Sequence, residues 1–217
     1  NVTDIRDSLT KGSNGRRVVL SEGFEDGEIP ANWTTIDNDA DGNTWYIKES
    51  ISGYESEYAV TSESWYSSWK GGEKPATEPD NYLITPEINL SEGGTLTYYV
   101  RTDNVYYPAE HYAVYASTSG NTVEDFVTPL FEETLQGEKA TPGTWLARTV
   151  ALPAGTKYVA FRHYDCYNEW SLSIDNIEIT TEGENEDDPE DPTIDLEVAF
   201  NVYRNGELVA TTTETTF

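Results

Sequence analysis

Short runs of β-branched and aromatic residues, separated by glycine- and proline-rich turns, dominate this chain of 217 residues. No segment keeps a helical period beyond about two turns, and residues 123–131 come nearest to one. Runs of this kind, bounded by turn residues, predict an all-β protein built as a jelly-roll β-sandwich. The predicted strands lie at positions 18–24, 44–48, 58–61, 82–85, 95–101, 112–117, 130–135, 145–152, 158–164 and 172–179.

The last predicted strand changes face along its length. Ile177 and Ile179 share one face because side chains alternate along a strand, whereas Ile174 falls on the opposite face. The pattern therefore predicts a bulge or a change of face near Asp175 and Asn176.

Polar and charged segments divide the chain into four parts. Residues 1–17 are polar and predict a linker or arm, and residues 18–181 hold the predicted sandwich. Residues 182–193 combine like charges with two prolines, which predicts an extended acidic linker. In residues 194–217, the Asn205-Gly206 pair between alternating apolar runs predicts a β-hairpin, as the truncated start of a second β module.

The chain does not begin with Met and contains none, so we expect a mature or excised piece of a longer, exported bacterial protein. No apolar run approaches the roughly 18 residues of a membrane span, which predicts no membrane insertion. Neighbouring domains of the parent chain are expected partners.

Acidic residues strongly outnumber basic ones. Asp and Glu total 40 against 13 Lys and Arg, for a formal charge of −27. Nucleic-acid binding depends on basic residues that release counterions, so this charge argues against it. The same charge suits the binding of divalent cations.

One loop has the spacing of a calcium site. Residues 37–43 read DNDADGN, so oxygen-bearing side chains recur at Asp37, Asp39, Asp41 and Asn43. Ca²⁺ takes six to eight oxygen ligands, and alternate residues of such a loop can point inward. An EF-hand is excluded because Lys48 stands where its final bidentate glutamate belongs.

Further calcium ligands are expected from the two ends of the predicted sandwich. Glu25 follows its first strand and Asp175 lies in its last, and these strands commonly lie side by side in a jelly roll. The alternative is an ordinary turn without an ion, because Asp, Asn and Gly are common turn residues.

The catalytic motifs that we considered are absent from the sequence, and we predict that the chain is not an enzyme. His111 and His163 are the only histidines, and each is interpreted as a half-buried strand residue. Cys166, the only cysteine, permits no disulfide within the chain. It lies three residues after His163, and on a continuous strand the two side chains would point to opposite faces, which argues against a cysteine protease.

Several aromatic residues fall in predicted loops, where they can stack on sugars or anchor proteins. The run SWYSSW at 64–69 is the best candidate for a recognition loop. We predict that Trp65, Tyr66 and Trp69 bind the ligand, although core filling explains part of such aromatic content.

GFEDG at 23–27 and the run from Pro30 to Trp45 are two distinctive blocks near the start. Both resemble the cleaved-adhesin domain, which recurs in gingipain proteases and related haemagglutinins. Further matching blocks follow in the same order at 79–86, 94–97, 110–117, 152–163 and 174–179. Residues 54–74 depart from the family, and the tail resembles a fibronectin-III-like module.

The resemblance implies a galactose-binding/MAM-like jelly roll that holds structural calcium at Glu25, at residues 37–43 and at Asp175. It also implies a role in adhesion. We therefore predict a calcium-stabilised, non-catalytic adhesin module of a secreted or cell-surface bacterial protein, which binds a host extracellular protein or glycan. The alternative is a carbohydrate-binding accessory domain of a secreted glycanase.

Overall fold

Two antiparallel β-sheets face each other across an apolar core, as a computed structural model of the chain describes. The structure describes residues 15–49, 52–65, 78–104, 106–135 and 144–182, together with the backbone of residues 200–204 and 207–212. Contacts divide the chain into two units, Asn1–Glu184 and Asn185–Phe217. In the part of the chain described, no helix has the length and apolar character needed to cross a bilayer.

The first sheet has six strands and contains both ends of the sandwich. Its order is β3-β4-β11-β6-β9, and β1 pairs antiparallel with β11. The prediction that the first and last strands of the sandwich lie side by side is thus confirmed. These strands are β1 (Arg16–Glu22), β3 (Tyr46–Ile47), β4 (Val60–Glu63), β6 (Gly94–Thr102), β9 (Leu146–Leu152) and β11 (Ser171–Glu182).

The second sheet has five strands in the order β2-β5-β10-β7-β8. Its strand β2 (Thr34–Asp37) is the one strand of the sandwich that the sequence prediction missed. A 3₁₀ turn at Val123–Asp125 replaces the weak helical signal of residues 123–131. The other strands are β5 (Asn81–Ile84), β7 (His111–Ser117), β8 (Pro129–Thr134) and β10 (Tyr158–His163).

Alternate side chains along the strands point inward and form the core between the sheets. In β6, Leu96, Tyr98 and Val100 are buried, whereas Thr97 and Tyr99 between them are partly exposed. This is the period-two pattern of a strand with one buried face. The predicted all-β jelly-roll sandwich is confirmed.

The predicted irregularity in the last strand is also confirmed. The register between β11 and β6 shifts between Asp175 and Glu178, and Asn176 adopts a left-handed backbone with φ of 46°. The irregularity lets Ile174, Ile177 and Ile179 all enter the core.

The C-terminal unit contains the predicted hairpin. Strands β12 (Phe200–Arg204) and β13 (Glu207–Thr212) pair antiparallel. Asn205 and Gly206, on which the prediction rested, lie outside the described residues, as does the predicted linker from residue 183 onward.

Candidate functional site

The aspartate-rich loop at the end of β2 gathers three carboxylates. Ligand oxygens of Asp37, Asp39 and Asp41 lie within 4.8 Å of one another. Asp37 accepts backbone N–H bonds from Asp41 at 3.3 Å and from Gly42 at 2.8 Å, and Asn43 donates its N–H to Asp41 Oδ1 at 2.7 Å. Ala40 and Gly42 have φ of 57° and 85°, so left-handed residues give the loop its tight curl.

Burial and the closeness of the three carboxylates shift the pKa values of Asp37 and Asp39. Partial burial, the hydrogen bond to Asp37 and the charge of Asp41 raise the pKa of Asp39 to about 6. Burial opposes ionisation of Asp37, but hydrogen bonds from Asp39 and from backbone N–H groups outweigh it and hold the pKa of Asp37 below its usual value. A cation at this position would relieve the repulsion.

Glu25 and Asp175 form a separate group beside the irregularity in β11. Asp175 is fully buried and accepts hydrogen bonds from Tyr54 N at 2.6 Å, Ser56 Oγ at 3.1 Å and Asn176 N at 2.6 Å. Burial raises the pKa of Asp175 despite these donors, and the charge of Glu25 adds to the effect. The predicted ligands therefore fall into two groups, because neither Glu25 nor Asp175 joins the three-aspartate cluster.

The absence of a side chain at Gly53 lets three oxygens approach each other next to Asp175. A β-carbon added at Gly53 would lie 2.0 Å from Ser56 Oγ, 2.0 Å from Tyr58 O and 2.6 Å from Asp175 Oδ2. Three oxygens thus converge on a point that only a glycine leaves open. The glutamate of this group, Glu25, receives the backbone N–H of Glu57 at 3.2 Å.

Partly or fully exposed aromatic residues lie in the loops that follow β4, β6 and β10. The rings of Trp65 and Trp170 stack with centroids 4.3 Å apart, and with Tyr107 they line a hollow of ≈ 150 Å³. Tyr106 and Tyr167 are the sequence neighbours of Tyr107 and Asn168, which line this hollow. They are 84% and 58% exposed. We call these five residues the aromatic end surface.

The predicted recognition loop contributes only partly to this surface. Trp65 belongs to it, whereas Tyr66 and Trp69 lie outside the described residues. From the sequence, Tyr106, Tyr107, Tyr167 and Trp170 are only aromatic residues in loops, because nothing local indicates that their loops meet.

A third group of ligand-type side chains is buried beneath the aromatic end surface. Glu110 Oε2 and Cys166 Sγ lie 2.9 Å and 3.2 Å from the same atom, His163 Nε2, and 3.4 Å from each other. All three residues are buried. Burial opposes the imidazolium, but the charge and hydrogen bond of Cys166, together with those of Glu110, outweigh it and raise the pKa of His163.

The expectation that His163 and Cys166 point to opposite faces is wrong. Strand β10 ends at His163, and Asp165 adopts a left-handed backbone with φ of 53°. This turn brings the thiol back against the imidazole. Strand alternation does not apply once the strand has ended.

His111 is also not equivalent to His163. Its ring bonds Thr134 Oγ1 at 2.8 Å and Glu132 Oε1 at 3.1 Å near the surface. The interpretation as a half-buried strand residue fits His111, whereas His163 is completely buried.

Comparison of the chain with known proteins identifies its family. The family model of the Cleaved Adhesin Domain matches residues 17–179. Hemagglutinin A of Porphyromonas gingivalis is 42% identical over 194 residues, which are 82% of this chain and 9% of the relative. Lys-gingipain W83 of the same organism is 40% identical over 220 residues, which are 93% of this chain and 12% of the relative.

A solved structure agrees with these matches. The K1 cleaved adhesin domain of Lys-gingipain from Porphyromonas gingivalis W83 superposes with a TM-score of 0.69 and 45% identity. The superposition covers 76% of this chain and 99% of that domain. This chain spans about a tenth of the length of the two curated relatives, 9% and 12%.

Proposed function

This chain belongs to the cleaved-adhesin domain family, and we propose that it is a calcium-stabilised, non-catalytic adhesion module of a larger secreted or cell-surface bacterial protein. Its ligand is a host extracellular protein or a glycan. The observation that carries the binding role is the aromatic end surface, which presents large side chains to solvent on a family scaffold whose relatives include a haemagglutinin.

Exposed aromatic side chains suit adhesion because a planar ring stacks on a sugar face and supplies contact area to a protein at low entropic cost. The loops that carry them are anchored by buried contacts. Trp170 donates its backbone N–H to Glu110 Oε1 at 2.6 Å, and Ser64 N bonds Trp170 O at 3.2 Å. The surface is therefore held ready for its ligand rather than ordered at the moment of binding.

The residues present fit calcium at two positions. The 37–43 loop offers three carboxylates on one side of a tight curl, and hard oxygen ligands are those that Ca²⁺ prefers. The second position is the group of oxygens around Gly53, which we call the cradle. It consists of the Asp175 carboxylate, the Tyr58 carbonyl and the Ser56 hydroxyl, with Glu25 nearby. Calcium bound there would offset the repulsion between Glu25 and Asp175 and tie the turn after β1 to β11.

Removal of calcium tests the stabilising role. Calcium at about 100 times its Kd would stabilise the folded state by about 2.7 kcal/mol. For a domain of this size that corresponds to a rise in Tm of roughly 5–10 °C. We expect EDTA to lower the Tm by that amount and added Ca²⁺ to restore it, measured by differential scanning calorimetry.

Three variants locate the effect. Asp39→Ala removes the contribution of the loop and Asp175→Asn that of the cradle, whereas Glu92→Gln, an exposed acid outside both groups, keeps the full response. A wild-type Tm that ignores EDTA contradicts the calcium proposal.

Binding screens test the adhesive role. The wild-type chain is applied to a glycan array and to a panel of extracellular-matrix proteins, and hits are measured by surface plasmon resonance. Tyr106→Ala and Trp170→Ala are expected to weaken binding by about 2 kcal/mol, or roughly 30-fold in Kd. Val127→Ala is the matched control, because Val127 is 83% exposed and belongs to another loop.

The outcomes distinguish the proposal from its alternative. Binding confined to plant or storage polysaccharides would favour the accessory domain of a glycanase. Binding that is unchanged in both aromatic variants would place the adhesive surface elsewhere on the molecule.

A further inference from the structure

We propose that Glu110, His163 and Cys166 form a binding site for a single zinc-class transition-metal ion, separate from both oxygen-rich groups. The three side chains present oxygen, nitrogen and sulfur to one point. Calcium prefers an all-oxygen shell, whereas a thiolate with an imidazole favours Zn²⁺.

The spacing of the ligand atoms suits a tetrahedral ion. The three atoms form a triangle with sides of 2.9 Å, 3.2 Å and 3.4 Å. A zinc ion with bonds of about 2.0–2.3 Å holds its ligands roughly 3.4–3.6 Å apart. Only shifts of a few tenths of an ångström therefore separate the present arrangement from a zinc-bound one.

The arrangement differs from a catalytic triad at one decisive atom. In a triad the nucleophile and the orienting carboxylate bond opposite nitrogens of the histidine. Here Glu110 and Cys166 both approach Nε2, and Nδ1 contacts Ser62 Oγ at 2.8 Å. Two ligand-type side chains on one ring nitrogen match the arrangement of a metal site and not that of a triad.

Outer hydrogen bonds hold His163 and Glu110 in place, as they do around established zinc sites. Ser62 Oγ can accept the Nδ1 proton of His163 and so leave the Nε2 lone pair for the metal. The other carboxylate oxygen of Glu110 accepts from Ser64 Oγ at 3.0 Å and from Trp170 N at 2.6 Å, which leaves Oε2 for the metal.

A groove gives an ion a route to the site. Cys166 is 8% exposed and lines a groove of ≈ 510 Å³ together with Glu78 and Asp165 and with the ion pair of Asp80 and Arg162, so the acidic residues are in excess there. Negative charge around this entry raises the local concentration of cations. Three protein ligands leave the fourth tetrahedral position for water, and binding releases the protons of the Cys166 thiol and of His163 Nε2.

Cobalt substitution tests the proposal on the wild-type chain. Metal-free protein is titrated with Co²⁺ under reducing conditions, with calcium in excess to saturate oxygen-only sites. We expect one Co²⁺ per chain, the visible absorption of tetrahedral cobalt, and a thiolate-to-cobalt charge-transfer band that zinc abolishes. Because Cys166 is the only cysteine, this band reports on one residue without any mutation.

Variants then confirm the ligand set. Cys166→Ser is expected to lose the charge-transfer band, and Ser62→Ala to weaken zinc binding by about 10–100-fold through the loss of an orienting bond. Glu92→Gln, an exposed acid outside all three groups, keeps both signals and serves as the control. Circular dichroism confirms that each variant is folded.

The proposal is overturned if wild-type protein shows no charge-transfer band, or if the band survives in folded Cys166→Ser. It is independent of the calcium proposal, because the Tm response to Ca²⁺ and the cobalt spectrum are separate measurements.

Discussion

The 37–43 loop and the buried cluster of Glu110, His163 and Cys166 each bring three ligand-type side chains within 4.8 Å, but they do so in opposite ways. The loop gathers neighbours in sequence and leaves them partly or fully exposed. The cluster joins Glu110 to a histidine 53 residues away and buries it completely. Proximity alone therefore does not distinguish the two groups, whereas burial and sequence separation do.

This difference has an energetic consequence. Water solvates the exposed carboxylates of the loop, so the folded chain tolerates their repulsion at low cost. The buried glutamate is shielded from bulk solvent, and its charge depends on the donors around it. We expect the chain without metals to depend far more on the buried cluster than on the loop.

The largest expected effect is that of Glu110→Ala. It should destabilise the metal-free protein by about 3–5 kcal/mol, because it removes the carboxylate that pairs with the buried His163 and accepts the backbone N–H of Trp170. Urea unfolding followed by tryptophan fluorescence measures the change. Glu132→Ala is the matched control, since Glu132 pairs with His111 at 3.1 Å on the surface, where such a pair contributes about 1 kcal/mol or less. Equal losses in the two variants would contradict the importance of burial.

A smaller effect is expected at the glycine of the calcium cradle. Gly53→Ala places a methyl group among Ser56 Oγ, Tyr58 O and Asp175 Oδ2, and overpacking of this kind costs about 1–3 kcal/mol. The same methyl should reduce the rise of Tm on calcium addition, because it pushes apart the oxygens that would coordinate the ion. Gly155→Ala is the control: its φ of 81° predicts a cost of about 1–2 kcal/mol from backbone strain, with the calcium response intact. A full calcium response in Gly53→Ala excludes the cradle as an ion site.

The smallest effect is a pH dependence in the exposed loop. Folding raises the pKa of Asp39 from 3.8 to about 6. The folded state thus binds this proton more tightly than the unfolded state, so the contribution of Asp39 to stability is present below pH 3.8 and lost as pH rises through about 6. In EDTA, the Tm of the wild type relative to Asp39→Asn should fall over this interval, and calcium should abolish the fall because it binds the ionised form. A Tm difference that does not change with pH would contradict the perturbed pKa.

Prediction from sequence succeeded where the signal lies within a few neighbouring residues. The DNDADGN run identified the loop that gathers three carboxylates, and the three isoleucines of the last strand identified its irregularity at Asp175 and Asn176. Strand β2 was missed because its four residues, TTID, are too few to show alternation beside the longer runs.

Prediction from sequence did not show that side chains from distant segments, such as Glu110 and His163, lie together. Strand alternation predicted that Cys166 and His163 point to different faces of the strand, but the left-handed residue Asp165 turns the chain after β10. Glu110 lies beside His163 because β7 and β10 pair in antiparallel register, with His163 opposite Tyr112. No local pattern encodes that register.

The sequence by itself therefore determined the all-β class, the family and the acidic loop, because period-two alternation and turn chemistry act between close neighbours in the chain. The tertiary structure decided that the predicted calcium ligands form two groups, that loops after three strands share one aromatic surface, and that Glu110, His163 and Cys166 meet in the interior. These outcomes depend on strand order, register and turn direction. Those are set by how the whole core packs, so they emerge only when distant segments are brought together.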